Sequence, residues 1–168
     1  MLLAMTSVLY AQEKEEKQSE GAKRHKLMLV MGNVHVPAGI NIDGDKAWTV
    51  VPSWGLDYDY ALTEQWAIGM HTDMAIESYE YEEDIIYKRT RPFSMILTGS
   101  RKFGEHLTVM AGGGVELAKE EDLTIVRVGI DYGWELQNDW ELSASLMSDF
   151  KIDAYNSWIL GLGVGKRF

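Results

Sequence analysis

Asp57 and His71 come closest to catalytic chemistry in this chain, with Ser53 the nearest hydroxyl. A carboxylate that orients an imidazole, which then takes a hydroxyl proton, is the logic of a nucleophilic triad. The surroundings argue against it. No glycine-flanked nucleophile turn and no His-x-Ser pattern occurs, and a neighbouring His–Asp pair is more commonly a satisfied charge pair. His35 and His71 have aspartates near them, but no tight ligand spacing supports a metal, so neither metal nor cofactor is expected. With no cysteine, disulfides and thiolate chemistry are excluded. A net charge of −10 without a basic stripe excludes a nucleic-acid partner.

The remaining charges recur at alternate positions, and that period identifies the elements that hold them. Side chains alternate between two faces along a strand, so a strand that separates two media alternates apolar with polar residues. Eight segments read this way. The final one sets Trp158, Leu160, Leu162, Val164, Lys166 and Phe168 against Ser157, Gly161, Gly163, Gly165 and Arg167. The segment before it opposes Trp140, Leu142, Ala144, Leu146 and Phe150 to Glu141, Ser143, Ser145 and Asp149. Another places Val126, Val128, Ile130, Tyr132, Trp134 and Leu136 against Arg127, Gly129, Asp131, Gly133 and Glu135. Two central segments set Phe93, Met95, Leu97 and Phe103 against serines, Thr98 and Lys102, and Leu107, Val109, Val115 and Leu117 against glycines and Glu116. Nearer the start, Trp54, Leu56, Tyr58 and Tyr60 oppose Ser53, Gly55, Asp57 and Asp59, and Trp66, Ile68, Met70 and Met74 oppose Gly69, His71 and Asp73. In the first segment, 27–37, Met28, Val30, Val34 and Val36 are read as the apolar face and Asn33 and His35 as the polar one.

The connections alternate in length. Leu62 to Trp66, Phe103 to Leu107 and Leu136 to Trp140 are tight and similarly spaced, as hairpin turns are. The stretches 38–46, 80–88, 118–122 and 151–156 are looser and more polar, and the acidic, aromatic run 79–84 reads as a solvated loop. No apolar run reaches the ~18 residues that a spanning helix needs. Residues 1–11 read as the remnant of a secretory signal, although no basic residue precedes the apolar run, and Ala11 stands at the cleavage point. Residues 12–26 read as a disordered tether, and 27–168 as one all-β domain.

Volume decides which face is outside. The apolar face carries nearly all the tryptophans, and an eight-stranded barrel encloses only packed side chains or one small ligand. The glycine and serine face fits inside; the apolar face must therefore look outward, to lipid. The pairs Phe93 and Phe103, Trp140 and Phe150, and Trp158 and Phe168 each lie ten residues apart on that face. Ten tilted strand residues cover roughly 25 Å, the height of the apolar band between aromatic girdles. Trp66 and Trp134 join these six residues as girdle candidates.

In these features the chain resembles the small bacterial outer-membrane β-barrel proteins of the OmpA-barrel and OmpX type, and in its phrasing barrels from Bacteroidota. The resemblance covers 27–168. It implies an eight-stranded antiparallel up-and-down transmembrane β-barrel in the outer membrane, a monomer in contact with lipid, with short turns and both termini in the periplasm. It also implies that the terminal strand, through Leu160, Leu162, Val164 and Phe168, is the signal read by the barrel-assembly machinery. Lys166 departs from the usual apolar residue, which snorkelling accommodates.

Inside the barrel, Asp57, His71, Asp73, Glu116, Arg127, Asp131, Glu135, Glu141 and Arg167 are expected to form a charge network. Hairpin register predicts Asp57 facing His71, Glu116 facing Arg127, Glu141 facing Arg167, and a Glu135–Glu141 like-charge pair relieved by Arg167 or Lys102. The network reads more readily as structural filling than as a cation path or a titrating interior. The expected role is structural, surface-interacting or permeation of small solutes, without catalysis. The rivals are a lipid-modifying barrel enzyme and a soluble lipocalin-like carrier.

Overall fold

The computed structural model describes residues 23–40, 44–45, 47–82 and 86–168. The expected signal remnant, 1–11, and the tether up to residue 22 lie outside the described residues. Ten strands follow in order: β1 (His25–Val36), β2 (Thr49–Ala61), β3 (Trp66–Ala75), β4 (Tyr79–Glu82), β5 (Ile86–Arg89), β6 (Phe93–Phe103), β7 (Leu107–Leu117), β8 (Leu123–Glu135), β9 (Trp140–Lys151) and β10 (Asn156–Arg167). Eight of them close into a barrel in the order β1-β10-β9-β8-β7-β6-β3-β2, with β1 returning to pair with β2. Every pairing is antiparallel. Closure removes the two free edges that an open sheet of this length would expose.

Alternation explains the barrel. In β2, Trp54 and Leu56 point out while Ser53, Gly55 and Asp57 are buried; in β8, Val126, Val128 and Ile130 point out while Arg127 and Asp131 are buried. The large apolar side chains form the outer surface, the reverse of a soluble lipocalin-like carrier. Among the described residues no helix is long and apolar enough to cross a membrane.

β1 is the exception to the expected faces. Its inward side is Met28, Val30, Val34 and Val36, and Leu27, Leu29, Met31, Asn33 and His35 point outward. Both faces of β1 are apolar, so period two carried no contrast there. Val34 and Val36 belong to a small apolar core, with Val51, Ala75, Leu123 and Ile159, that fills the bore toward the long-loop end. The strand also begins at His25, inside the stretch read as tether.

The three tight turns stand where the spacing places them. The β6–β7 turn uses Gly104 at φ +65, a left-handed conformation open to glycine at little cost. The β8–β9 turn is a single 3-10 turn, Gln137–Asp139, with Asn138 and Asp139 both left-handed, and Leu136 N–H donates to the Trp140 carbonyl at 2.7 Å. Along β7, a Cβ on Gly112 or Gly114 would lie 2.2 Å or 1.9 Å from the Leu97 or Met95 carbonyl oxygen. Only glycine lets β6 and β7 approach this closely.

The long-loop end is more ordered than its composition suggests. Within the stretch read as a solvated loop, Tyr79–Glu82 form strand β4, paired with β5, with Tyr79 and Tyr81 buried; 83 and 84 lie outside the described residues. Residues of the first loop dock on β4: Ile40 N–H donates to the Glu80 carbonyl at 3.0 Å and Glu82 N–H to the Ala38 carbonyl at 2.8 Å. The hairpin tyrosines, not its acidic residues, decide its position.

Candidate functional site

The polar side chains inside the barrel fall into three groups along its axis. At the middle, Arg127 of β8 is fully buried. Its Nε and Nη2 donate to Asp149 of β9 at 2.6 and 2.9 Å, and its Nη1 donates to Asp73 of β3 at 2.5 Å. β8 and β3 are three strands apart around the ring, so the guanidinium and its two carboxylates cross the bore. A planar fork with five donors suits this bridging role, and a lysine would not reproduce it.

Toward the long-loop end, the β4–β5 hairpin inserts Arg89, which is buried, into the mouth. Its Nε and Nη2 donate to Glu116 Oε1 at 3.0 and 2.6 Å, and its Nη1 donates to the Glu121 carbonyl at 2.7 Å. Lys151 Nζ lies 3.5 Å from the other oxygen of Glu116 and 4.3 Å from the Tyr155 ring centroid. The Tyr155 hydroxyl donates to Glu116 at 3.0 Å and is hydrogen-bonded to the Tyr79 hydroxyl. Burial pushes the Tyr79 and Tyr155 phenols above the ordinary tyrosine range, with Glu116 adding to the effect on both. In the neighbouring loop, the Thr90 hydroxyl and N–H donate to Glu120 and hold its carboxyl below the usual range.

Toward the short-turn end, His71 Nε2 lies 3.0 Å from Asp59 Oδ1 and its Nδ1 3.7 Å from Asp57 Oδ2. Lys26 bridges Asp59 at 3.4 Å and Glu141 at 3.3 Å. Arg167 reaches Glu141 at 2.8 Å and Glu135 at 3.8 Å, and Lys102 reaches Glu135 at 2.9 Å. A cavity of about 90 Å³ opens among these groups, lined from the β2–β3 turn inward to Met147. Asp131 lies on its wall with Ser143 and Ser145.

The register pairs Asp57 with His71 and Glu135 with Glu141, as the hairpin count predicts. The expected Glu116–Arg127 pair does not form. β8 starts at Leu123, which places Glu116 opposite Leu123 and Arg127 opposite Gly112. Glu116 is served instead by Arg89 and Lys151, and Arg127 by Asp149 and Asp73. No triad is assembled: His71 gives Nε2 to Asp59, and its Nδ1 has no hydrogen-bond partner. No group of three or more His, Asp or Glu residues able to hold a metal occurs among the described residues.

Three cations escaped the sequence reading. Arg89 lay between the connection 80–88 and the segment from Phe93, Lys26 in the apparent tether, and Lys151 at the start of the connection 151–156. Lys151 continues the inward series of Ser145, Met147 and Asp149, so extending the period would have found it; Lys26 shares its face with Met28 and Val30, which the sequence places outward and the structure inward. Nothing local marks Arg89.

On the outer surface, Trp66, Phe103, Trp134, Trp140 and Phe168 ring the short-turn end, and Phe93, Phe150 and Trp158 the other. Arg101 stands over the Trp66 and Phe103 rings at 5.3 and 4.9 Å, and Lys166 over Trp140 at 5.3 Å. At the far rim His35 stacks on Trp158, with centroids 4.0 Å apart. Leu160, Leu162, Val164 and Phe168 of the terminal strand are all exposed on the outer face. The last residue seals the seam: the His25 and Phe168 backbones exchange hydrogen bonds of 3.1 and 2.9 Å, and their rings stack.

No protein-family model matches this chain, and no curated protein matches it. Solved structures do. The chain is similar to the N-terminal β-barrel domain of Pseudomonas aeruginosa OprF, with 15% identity, 87% of this chain and 98% of that one covered, and a TM-score of 0.55. It is similar to Ail, the attachment invasion locus protein of Yersinia pestis, in complex with the heparin analogue sucrose octasulfate, with 16% identity, 86% and 99% covered, and a TM-score of 0.54. Neisserial surface protein A matches with 11% identity, 86% and 97% covered, and a TM-score of 0.52. At such identities the likeness is one of fold. Closed ring, strand count and outward apolar face together give this chain the fold of the small eight-stranded outer-membrane β-barrels.

Proposed function

We propose that the protein is an integral outer-membrane barrel that conducts no solutes and works through its surfaces, as an anchor or an interaction module, without catalysis. One observation carries this reading: the Arg127 bridge to Asp73 and Asp149 spans the bore. Breaking it would strand two carboxylates in the interior, so it does not open as a gate at little cost. Behind it, β4 and β5 bury Tyr79, Tyr81 and Arg89 at the long-loop mouth.

On this reading the outward aromatic residues sit at the two lipid interfaces, and the short turns face the periplasm. The terminal strand, with Leu160, Leu162, Val164 and Phe168 outward, is what the assembly machinery would engage, and the barrel acts as a monomer in lipid. The long-loop end exposes Glu77, Glu80, Glu120, Glu121, Asp122 and Asp153 against Lys88, Arg91 and Lys119. That acidic excess favours basic or cationic surface partners over a polyanion of the kind bound by the Ail structure.

Conductance in planar bilayers tests the reading. The folded protein is expected to give no discrete channel steps at moderate voltage. Stable, ohmic single-channel conductance from the unmodified protein would overturn it.

A further inference from the structure

The outer wall carries little charge, and what it carries is of one sign. Along the eight barrel strands the outward positions hold no carboxylate, and their only lysine or arginine side chains are Arg101 of β6 and Lys166 of β10. His25 and His35 are the other outward bases, and each stacks on an aromatic ring. Arg101 and Lys166 are placed alike. Each stands two residues before a phenylalanine, Phe103 or Phe168, and each is paired in register with the tryptophan that opens the neighbouring strand, Trp66 or Trp140. β6 and β10 are four strands apart in a ring of eight, so the two cations lie on opposite sides of the barrel, both at the short-turn end.

Neither cation has a counterion in the protein. On the inward face Lys26, Lys102, Arg127, Lys151 and Arg167 each lie within salt-bridge distance of a carboxylate. Among the described residues Arg101 and Lys166 reach none. Their contacts are with rings, Arg101 over Trp66 and Phe103, and Lys166 over Trp140. The carboxylates of the nearby turns go elsewhere, Asp139 to Lys23 and Glu105 toward His106. A ring face holds a cation in place without using its N–H groups, which stay free to donate to an anion.

Their place on the wall narrows the class of anion. Next to Arg101 toward mid-wall come Leu97, Met95 and Val109, and next to Lys166 come Val164, Leu162 and Leu160, all exposed and apolar. A ligand seated there meets charge at the level of the aromatic ring and alkyl surface beyond it, as a phospholipid does. A zwitterionic headgroup brings an ammonium of its own, and the wall offers no outward carboxylate to receive it. We propose that Arg101 and Lys166 mark two sites for anionic phospholipid, one on each side of the barrel, with the phosphate on the cation and the acyl chains along β6 and β10. The proposal rests on the membrane reading above and names the lipid class that the short-turn rim selects.

Tryptophan fluorescence tests it, with the full-length protein folded into phosphatidylcholine vesicles. A minor fraction of the lipid is phosphatidylglycerol, phosphatidylethanolamine or phosphatidylcholine brominated close to the headgroup, which quenches on contact. Trp66 and Trp140 stand beside the two cations and report the lipid there. Phosphatidylglycerol is expected to occupy these positions in about fivefold preference to phosphatidylcholine, and added salt to shrink the preference. Arg101→Gln is expected to remove about half of the extra quenching, Arg101→Gln with Lys166→Gln nearly all of it, and Arg101→Lys little. Heat-dependent gel mobility verifies that each variant is folded, and the salt dependence of the unmodified protein decides if a variant fails to fold. Equal quenching by phosphatidylglycerol and phosphatidylcholine, equal preference for phosphatidylethanolamine, a preference indifferent to salt, or a folded double variant that keeps the preference would each overturn the proposal. Quenching by none of the brominated lipids would show that the protein is not in the bilayer, and would sink the membrane reading together with this one.

Discussion

Arg127 is the residue on which the interior depends. Three hydrogen bonds of 2.5 to 2.9 Å tie it to carboxylates on two other strands, and no part of it reaches solvent. Isolated surface pairs contribute little, but removing one partner of a buried pair leaves an uncompensated charge. Arg127→Met, of similar length and without charge, is expected to lower stability to urea in detergent by about 3–5 kcal/mol, because Asp73 and Asp149 remain. Arg127→Met combined with Asp73→Asn and Asp149→Asn is expected to recover most of that loss. A single variant as stable as the parent would show that the bridge contributes nothing. Lys23 and Asp139, also paired but half exposed at the turn end, are expected to be replaceable at little cost.

At the level of elements, the β4–β5 hairpin decides what the long-loop end looks like. It is a two-stranded ribbon, too small to be stable alone, and it holds its place by burying Tyr79, Tyr81 and Arg89. The tyrosines make its docking sensitive to alkali. Burial raises the Tyr79 and Tyr155 phenols above the value they have in an undocked, solvated loop. Below about pH 10 both forms keep the phenols neutral, and docking has its full strength. As the pH climbs past that value the undocked loop loses protons that the docked one keeps, so docking weakens progressively. Absorbance at 295 nm during an alkaline titration is expected to show an ordinary tyrosine phase and a delayed one. The delayed phase is expected to coincide with protease sensitivity in 76–92, and to shrink in Tyr79→Phe. A single phase near pH 10 for all tyrosines would contradict the docking.

The eight barrel strands form a closed ring whose outer wall is apolar from rim to rim. Such a surface is incompatible with water over this area and asks for a bilayer. The protein is therefore expected in the outer-membrane fraction of a Gram-negative host. On a detergent gel it is expected to migrate as a compact species without heating and more slowly after boiling. Recovery in the soluble fraction with no mobility shift would sink the membrane reading. The same ring explains why the last residues matter: β10 joins β9 to β1, so every other pairing depends on its arriving in register. Deleting Lys166, Arg167 and Phe168 is expected to slow assembly more than it lowers the stability of barrels that do fold, as measured by the rate at which the compact gel species forms.

Alternation alone determined most of the architecture. In seven of the eight barrel strands one face is mainly apolar and the other mainly small or polar, so period two identified both the strands and their outward sides. Local turn spacing likewise predicted the Asp57–His71 and Glu135–Glu141 neighbours, because a tight hairpin sets its own register. Where those conditions lapsed, tertiary structure decided. β1 is apolar on both sides, so its orientation followed from Val34 and Val36 joining an apolar core contributed by other strands. The β7–β8 loop is too loose to set register, and Glu116 and Arg127 went to different partners. Arg89 reaches Glu116 only because the hairpin folds back over the mouth, a contact between residues far apart in the chain. The unpartnered atoms of Asp57 and His71 are tertiary facts in the same sense. A sequence shows that a carboxylate points inward, but only the packed ring shows that no donor arrives to meet it.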